Sequence, residues 1–110
     1  MGHFLYRLQP TRPDMLRDGP TEREADVVGR HFRYLEELVS SGVVLIAGRT
    51  LNSDESAFGI VIFRAQSEAK AQELMQNDPA VSGGVMRAEL FPYSIALLSA
   101  NGWPEEASDA

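Results

Sequence analysis

TEREADVVGRHFRYLEELVSSGVVLIAGRT, residues 21–50, carries a helix start, a helix stop and a strand in direct succession. Thr21 is of the N-cap type, and Glu22 and Glu24 follow in what is then the first turn, where carboxylates complement the helix macrodipole. Val27, Val28, Phe32, Leu35, Leu38 and Val39 recur at helical spacing and share one face, with Asp26, Arg30, Arg33, Glu36 and Glu37 on the other. Gly42 stands just past the last apolar position as a stop signal. VVLIAGRT (43–50) is then a near-continuous apolar run of strand length.

Outward from this stretch the same logic continues. NSDES (52–56) is turn-like and FGIVIFRA (58–65) is a second strand, so the two strands form a hairpin with a longer loop. Ser67 caps a shorter helix that turns Ala71, Leu74 and Met75 inward and ends before Pro79. VMRAELFP (85–92) alternates Met86, Ala88 and Leu90 against Arg87 and Glu89, and YSIALLSA (93–100) reads as a further strand. Upstream, HFLYRL (3–8) favours a strand, and RPDMLRDGPT (12–21) reads as a long loop. The order β-α-β-β-α-β predicts an α+β, ferredoxin-like domain over residues 1–100, with residues 101–110 as a flexible tail. Its four-stranded antiparallel sheet, extended if 93–100 joins it, is covered by two helices on one face. The strands at 43–47 and 58–63 nevertheless carry large apolar residues in both phases. A second copy of the sheet is the simplest cover for the other face, so a homodimer is expected.

Composition narrows the functional classes. Sixteen Asp and Glu against ten Lys and Arg leave a net charge of −6, with the basic residues scattered, which disfavours nucleic acid and anionic membrane surfaces as partners. There is no cysteine, so thiolate metal sites and cysteine nucleophiles are excluded. No apolar run approaches the roughly 20 residues that cross a bilayer, and Arg7 interrupts the N-terminal apolar segment too early for a signal peptide; the expected location is cytoplasmic. Two histidines without spaced acidic ligands predict no metal site, and no Gly-x-Gly-x-x-Gly or Walker pattern supports a nucleotide. No cofactor is expected. A haem would want His31 as an axial ligand, against its expected pairing with Asp78.

His31 lies inside the apolar stripe of the long helix. At about 100° per residue from Val27, Leu38, His31, Leu35 and Val28 fall at roughly 20°, 40°, 80° and 100°. Two readings stand for such a residue: a core histidine bonded to a carbonyl or tyrosine, or a functional one. Asp78, in NDPAVSGG (77–84), follows the second helix, at an end where the macrodipole disfavours an anion by about 0.3–1 kcal/mol. A local Asx turn would explain it. A partnership with His31 would explain it as well, because the two helices of this topology lie side by side, and a carboxylate beside an imidazole fixes its tautomer as a general base. His3 has no visible partner.

RHFRYLEELVSSGVVLIAGRT (30–50) and FGIVIFRAQSEAKAQELMQNDPAVSGGVMRAELFPY (58–93) resemble the YciI-like (YCII-related) proteins, a group within the dimeric α/β-barrel superfamily. The resemblance rests on His31 before an apolar helix, Gly42, Ala47-Gly48 at a strand end, Asp78-Pro79 followed by Val81 and Gly84, and the Glu89 strand ending at Pro92. It implies sheet-to-sheet pairing into a barrel-like dimer and a small-molecule pocket in which the family's histidine and aspartate are His31 and Asp78. A similar protein of chloroaromatic degradation is a dehydrochlorinase proposed to use this pair, and muconolactone isomerase is a more distant relative. The implied activity is that of a cofactor-independent lyase or isomerase on a small cyclic or enol-type substrate; the alternative is a non-catalytic binding module. Arg49 stands where the family often has proline and is a candidate for binding an anionic substrate group. Arg12 and Tyr6, near the end of the first strand, are further substrate-binding candidates beside the plainer readings of a loop arginine and a packing tyrosine.

Overall fold

Thr21 begins the long helix as expected. In the computed structural model, which describes residues 1–103, its hydroxyl accepts from the Glu24 N–H while the Glu24 carboxylate accepts from the Thr21 N–H, a reciprocal capping box. At the other end Gly42, with φ 79°, lets the chain reverse: its N–H reaches the Val39 carbonyl and the Val43 N–H the Leu38 carbonyl, a Schellman closure. The elements in chain order are β1 (Gly2–Pro10), α1 (Asp14–Asp18), α2 (Glu22–Ser40), β2 (Val44–Arg49), β3 (Gly59–Ala65), α3 (Glu68–Gln76), α4 (Pro79–Ser82) and β4 (Met86–Tyr93). The strands form one antiparallel sheet in the order β2-β3-β1-β4, the ferredoxin-like α+β arrangement.

Three expectations are corrected. The loop at 12–21 contains the short helix α1, whose Met15 is buried against Val27 and Val85. The expected strand at 93–100 does not form: β4 is an edge strand ending at Tyr93, residues 94–99 have no regular structure, and Leu97 and Leu98 are exposed. Residues 104–110 of the expected tail lie outside the described residues. Finally, the chain does not simply turn at Asn77-Asp78-Pro79 but starts α4 there.

Cross-strand partners share a sheet face, and so the register sorts the side chains. Val44, Phe63 and Phe4 form one row on the helix side, and Ala47, Val61, Tyr6 and Leu90 form the next. Tyr6, Phe63 and Val61 are almost wholly buried, the Phe63 ring lying 5.6 Å from Tyr6 and 5.9 Å from Phe4. Each such side chain contributes about 1.5–3 kcal/mol of transfer free energy. On the opposite face Ile46, Ile62, Leu5 and Phe91 make a continuous apolar row across all four strands. Ile46 and Phe91 are exposed there.

One irregularity positions the site. Val44 opposes Phe63 and Ile46 opposes Ile62, so Leu45 is the extra residue of a β-bulge. The bulge inverts the alternation beyond it. Ala47 and Arg49, which a regular strand would turn away, come to share the helix side with Val61 and Gly59.

Candidate functional site

Asp78 is fully buried at the junction of α3 and α4. Its backbone is extended (φ −61°, ψ 124°), its Oδ1 accepts from the Ala80 N–H at 2.9 Å, and Pro79 fills the first helical position, where a missing N–H is no loss. The carboxylate therefore caps the start of α4, where an anion is favoured, rather than standing only at the unfavourable end of α3. Gly83 allows α4 to lie against α2: a Cβ there would be 2.7 Å from the Pro79 carbonyl and 3.3 Å from Val27 Cγ1.

His31, on the inward stripe of α2, brings Nδ1 to 2.7 Å from Asp78 Oδ1 and 2.9 Å from Oδ2. Tyr6, from β1, donates its hydroxyl to Asp78 Oδ2 at 2.8 Å. Asp78 thus accepts from three elements of the fold, and a carboxylate surrounded by donors leaves Nδ1 as the protonated ring nitrogen. Nε2, on the far edge of the ring, has no partner among the described residues and is the free basic position. Burial, then the Asp78 charge and hydrogen bond, push the Tyr6 phenol far above its ordinary value, so it serves Asp78 as a permanent donor. Tyr34, whose hydroxyl donates to the Leu74 carbonyl at 2.7 Å, is pushed up to about 12 by burial and then by the Asp78 charge.

His31 lines a cavity of about 540 Å³ between α2 and the β2–β3 end of the sheet. That volume falls within the range of small-molecule sites. The helix contributes Phe32, Leu35 and Glu36 beside His31, the strands contribute Ala47, Arg49 and Gly59, and Phe58 joins them from just before β3. Phe32 and Val39, expected in the packed stripe, are exposed along this cavity, and Glu36, expected on the solvent side, lines it too.

Of the five residues singled out in the sequence, the structure brings His31 and Asp78 into direct contact and sets Arg49, on the strand side, in the lining of the same cavity as His31. Arg12 and Tyr6, expected as substrate contacts, do not line the cavity. Arg12 forks onto the buried Glu24 (Nε to Oε2 2.9 Å, Nη2 to Oε1 2.7 Å) and bonds the Gly19 carbonyl, pinning the 12–21 segment to the start of α2. Tyr6 is consumed behind Asp78.

A family model for the YCII-related domain matches residues 4–94, from β1 through the end of β4. The chain belongs to the YCII-related domain family. No curated protein sequence matches this YCII-related chain. Among solved structures it is similar to the 5-chloro-2-hydroxyhydroquinone dehydrochlorinase TftG from Burkholderia phenoliruptrix AC1100, determined in complex with 2,5-dihydroxybenzoquinone. The two share 20% identity over 83% of this chain and 93% of the other, with a TM-score of 0.60, a likeness of fold. No helix among the described residues of the YCII-related chain is long and apolar enough to cross a membrane.

Sequence reasoning missed the Ala80 N–H, Glu36 and Gly59. The Asp-Pro pair was the available signal for the first, being equally the N-cap and first residue of a helix. The other two depend on the bulge and on how α2 lies over the sheet.

Proposed function

We propose that this YCII-related protein binds a small cyclic or enol-type molecule in the cavity beside His31 and acts on it as a cofactor-independent lyase or isomerase. The observation that carries the reading is the His31 Nδ1–Asp78 contact, with Nε2 left without a partner among the described residues, on a side chain that lines the cavity. Nε2 takes a proton from a hydroxyl or an acidic carbon, and the buried carboxylate offsets the positive charge that the ring acquires. In an isomerisation the proton returns at another atom. In an elimination the leaving group departs as an anion while the imidazolium holds the proton. Arg49 faces the ligand from the strand side. The fold neighbour's dehydrochlorinase activity and its bound quinone make hydroxylated rings the first class to test.

The reading includes a homodimer. The Ile46–Ile62–Leu5–Phe91 row is an apolar face of the kind that sheet-on-sheet packing covers.

A second reading, binding without turnover, is favoured by one observation: Asp78 already caps α4 and receives Tyr6, so its presence has a structural explanation. The test is turnover of a panel of chlorinated hydroxyquinols and small lactones, followed as chloride release or ring absorbance, alongside the melting temperature with 2,5-dihydroxybenzoquinone. Turnover lost in His31→Ala, with the ligand-induced rise in melting temperature retained, supports the catalytic reading. Stabilisation of the unmodified protein without any turnover supports the binding module, and turnover that survives in His31→Ala removes the pair from the chemistry.

A further inference from the structure

Arg49 differs from the other basic side chains of the protein. Arg7, Arg12, Arg17, Arg30 and Lys70 each pair with a carboxylate, while Arg23, Arg64 and Arg87 each bond a carbonyl or amide oxygen. Among the described residues only Arg33 and Arg49 have no such partner, and Arg49 is the one that lines the cavity. It does so because the bulge at Leu45 inverts the strand alternation.

The floor beside it is bare. Arg49, Gly59, Leu8 and Ala88 form one cross-strand row on the helix side. Gly59 does not have positive φ, so its backbone does not require glycine. A Cβ there would lie 3.8 Å from Arg49 Cβ, 3.8 Å from Leu8 Cβ and 3.3 Å from the Gly48 carbonyl oxygen. The close approach of the Gly48 carbonyl is what the glycine accommodates, and it leaves the wall beside the arginine stem without a side chain. On the opposite wall, Glu36 of α2 repels a second anionic group but accepts from a hydroxyl, and Phe32 from the helix and Phe58 from the strand side offer aromatic surface to a planar ring.

We propose that the strand side of the cavity is an anion subsite, in which Arg49 binds the single negative charge of a planar, hydroxylated ring acid above the floor at Gly59. The inference rests on the small-molecule reading of the cavity and adds to it the charge and shape of the ligand. The guanidinium fork matches a carboxylate in two parallel hydrogen bonds, which a neutral group cannot reproduce.

Calorimetric titration with 2-hydroxybenzoate, its neutral counterpart 2-hydroxybenzyl alcohol and the dianion phthalate tests it. The unmodified protein binds 2-hydroxybenzoate more tightly than the alcohol by roughly tenfold or more, with phthalate weaker than the monoanion. Arg49→Gln, checked for an unchanged melting temperature, removes that preference and leaves the binding of the alcohol as it was. Arg49→Lys, with charge but no fork, keeps part of it. Equal affinity for the monoanion and the alcohol, or a preference that survives Arg49→Gln, overturns the subsite while leaving the cavity reading intact. Failure of all three probes and of 2,5-dihydroxybenzoquinone to bind overturns both.

Discussion

Replacing Tyr6 with phenylalanine deletes one oxygen from an enclosed site and leaves every ring contact in place. The lost interaction is the 2.8 Å donation to Asp78 Oδ2, from a side chain with no exposure to an acceptor with none. A hydrogen bond to a charged group contributes about 1.5–3 kcal/mol, and the buried carboxylate has no water to replace the donor. For a chain of 110 residues, at about 4 °C per 1 kcal/mol, the melting temperature should fall by roughly 6–12 °C. Tyr34→Phe is the control, because its hydroxyl bonds the neutral Leu74 carbonyl and its loss costs about 0.5–1.5 kcal/mol. Urea unfolding of both variants at one fixed protein concentration measures the difference. A double-mutant cycle with Asp78→Asn then isolates the Tyr6–Asp78 coupling, expected above about 0.5 kcal/mol. If Tyr6→Phe is no more destabilising than Tyr34→Phe and the cycle shows no coupling, Tyr6 does not hold Asp78 and the site is not organised as described.

Two further changes probe other parts of the molecule. Ile62→Glu puts a charge between Ile46 and Leu5 in the apolar row, and light scattering at micromolar concentration should then give the 12.1 kDa chain mass where the unmodified protein gives about twice that; equal masses for the two would refute sheet-to-sheet pairing. Glu24 is held from its ordinary 4.5 down to about 2 by hydrogen bonding to Arg12 and then to the Thr21 backbone. Its folded value lies below its unfolded one, so the stability it contributes is complete above 4.5 and is lost as pH falls from there toward 2. The stability difference between the unmodified protein and Glu24→Gln in urea should therefore shrink over that window, and a difference independent of pH would refute the assignment.

What could be read from the chain and what could not follow from how local each signal is. Helix α2 was legible because Thr21, its acidic first turn, the apolar spacing and Gly42 all act within a turn or two of the residues they affect. The inward aim of His31 followed from the same periodicity. Helix α4 was not legible: four residues are too few to show a period, and Pro79 reads equally as the end of one helix and the beginning of another. Nor was the face of Arg49, since VVLIAGRT is apolar in both phases and nothing in it marks Leu45 as the bulge. The Tyr6 hydroxyl meets a carboxylate 72 residues away, and Arg12 is drawn off the cavity by Glu24 through the path of a loop. Both are tertiary pairings that no local pattern encodes.

The arrangement of donors around Asp78 also decides which substitution there is informative. His31 comes from α2, Tyr6 from β1 and the Ala80 N–H from α4, so one carboxylate joins a strand and two helices. Asp78→Ala removes the helix cap, strands a buried phenol without an acceptor and frees the imidazole all at once. A loss of activity in that variant would be indistinguishable from a loss of structure. Asp78→Asn keeps an oxygen for the Ala80 N–H and nearly the same volume while it removes the charge beside the ring. If the pair is catalytic, turnover should fall in Asp78→Asn while a cooperative unfolding transition is retained. If Asp78 serves only the cap and Tyr6, ligand affinity and any turnover should stay as they were, and only stability should change.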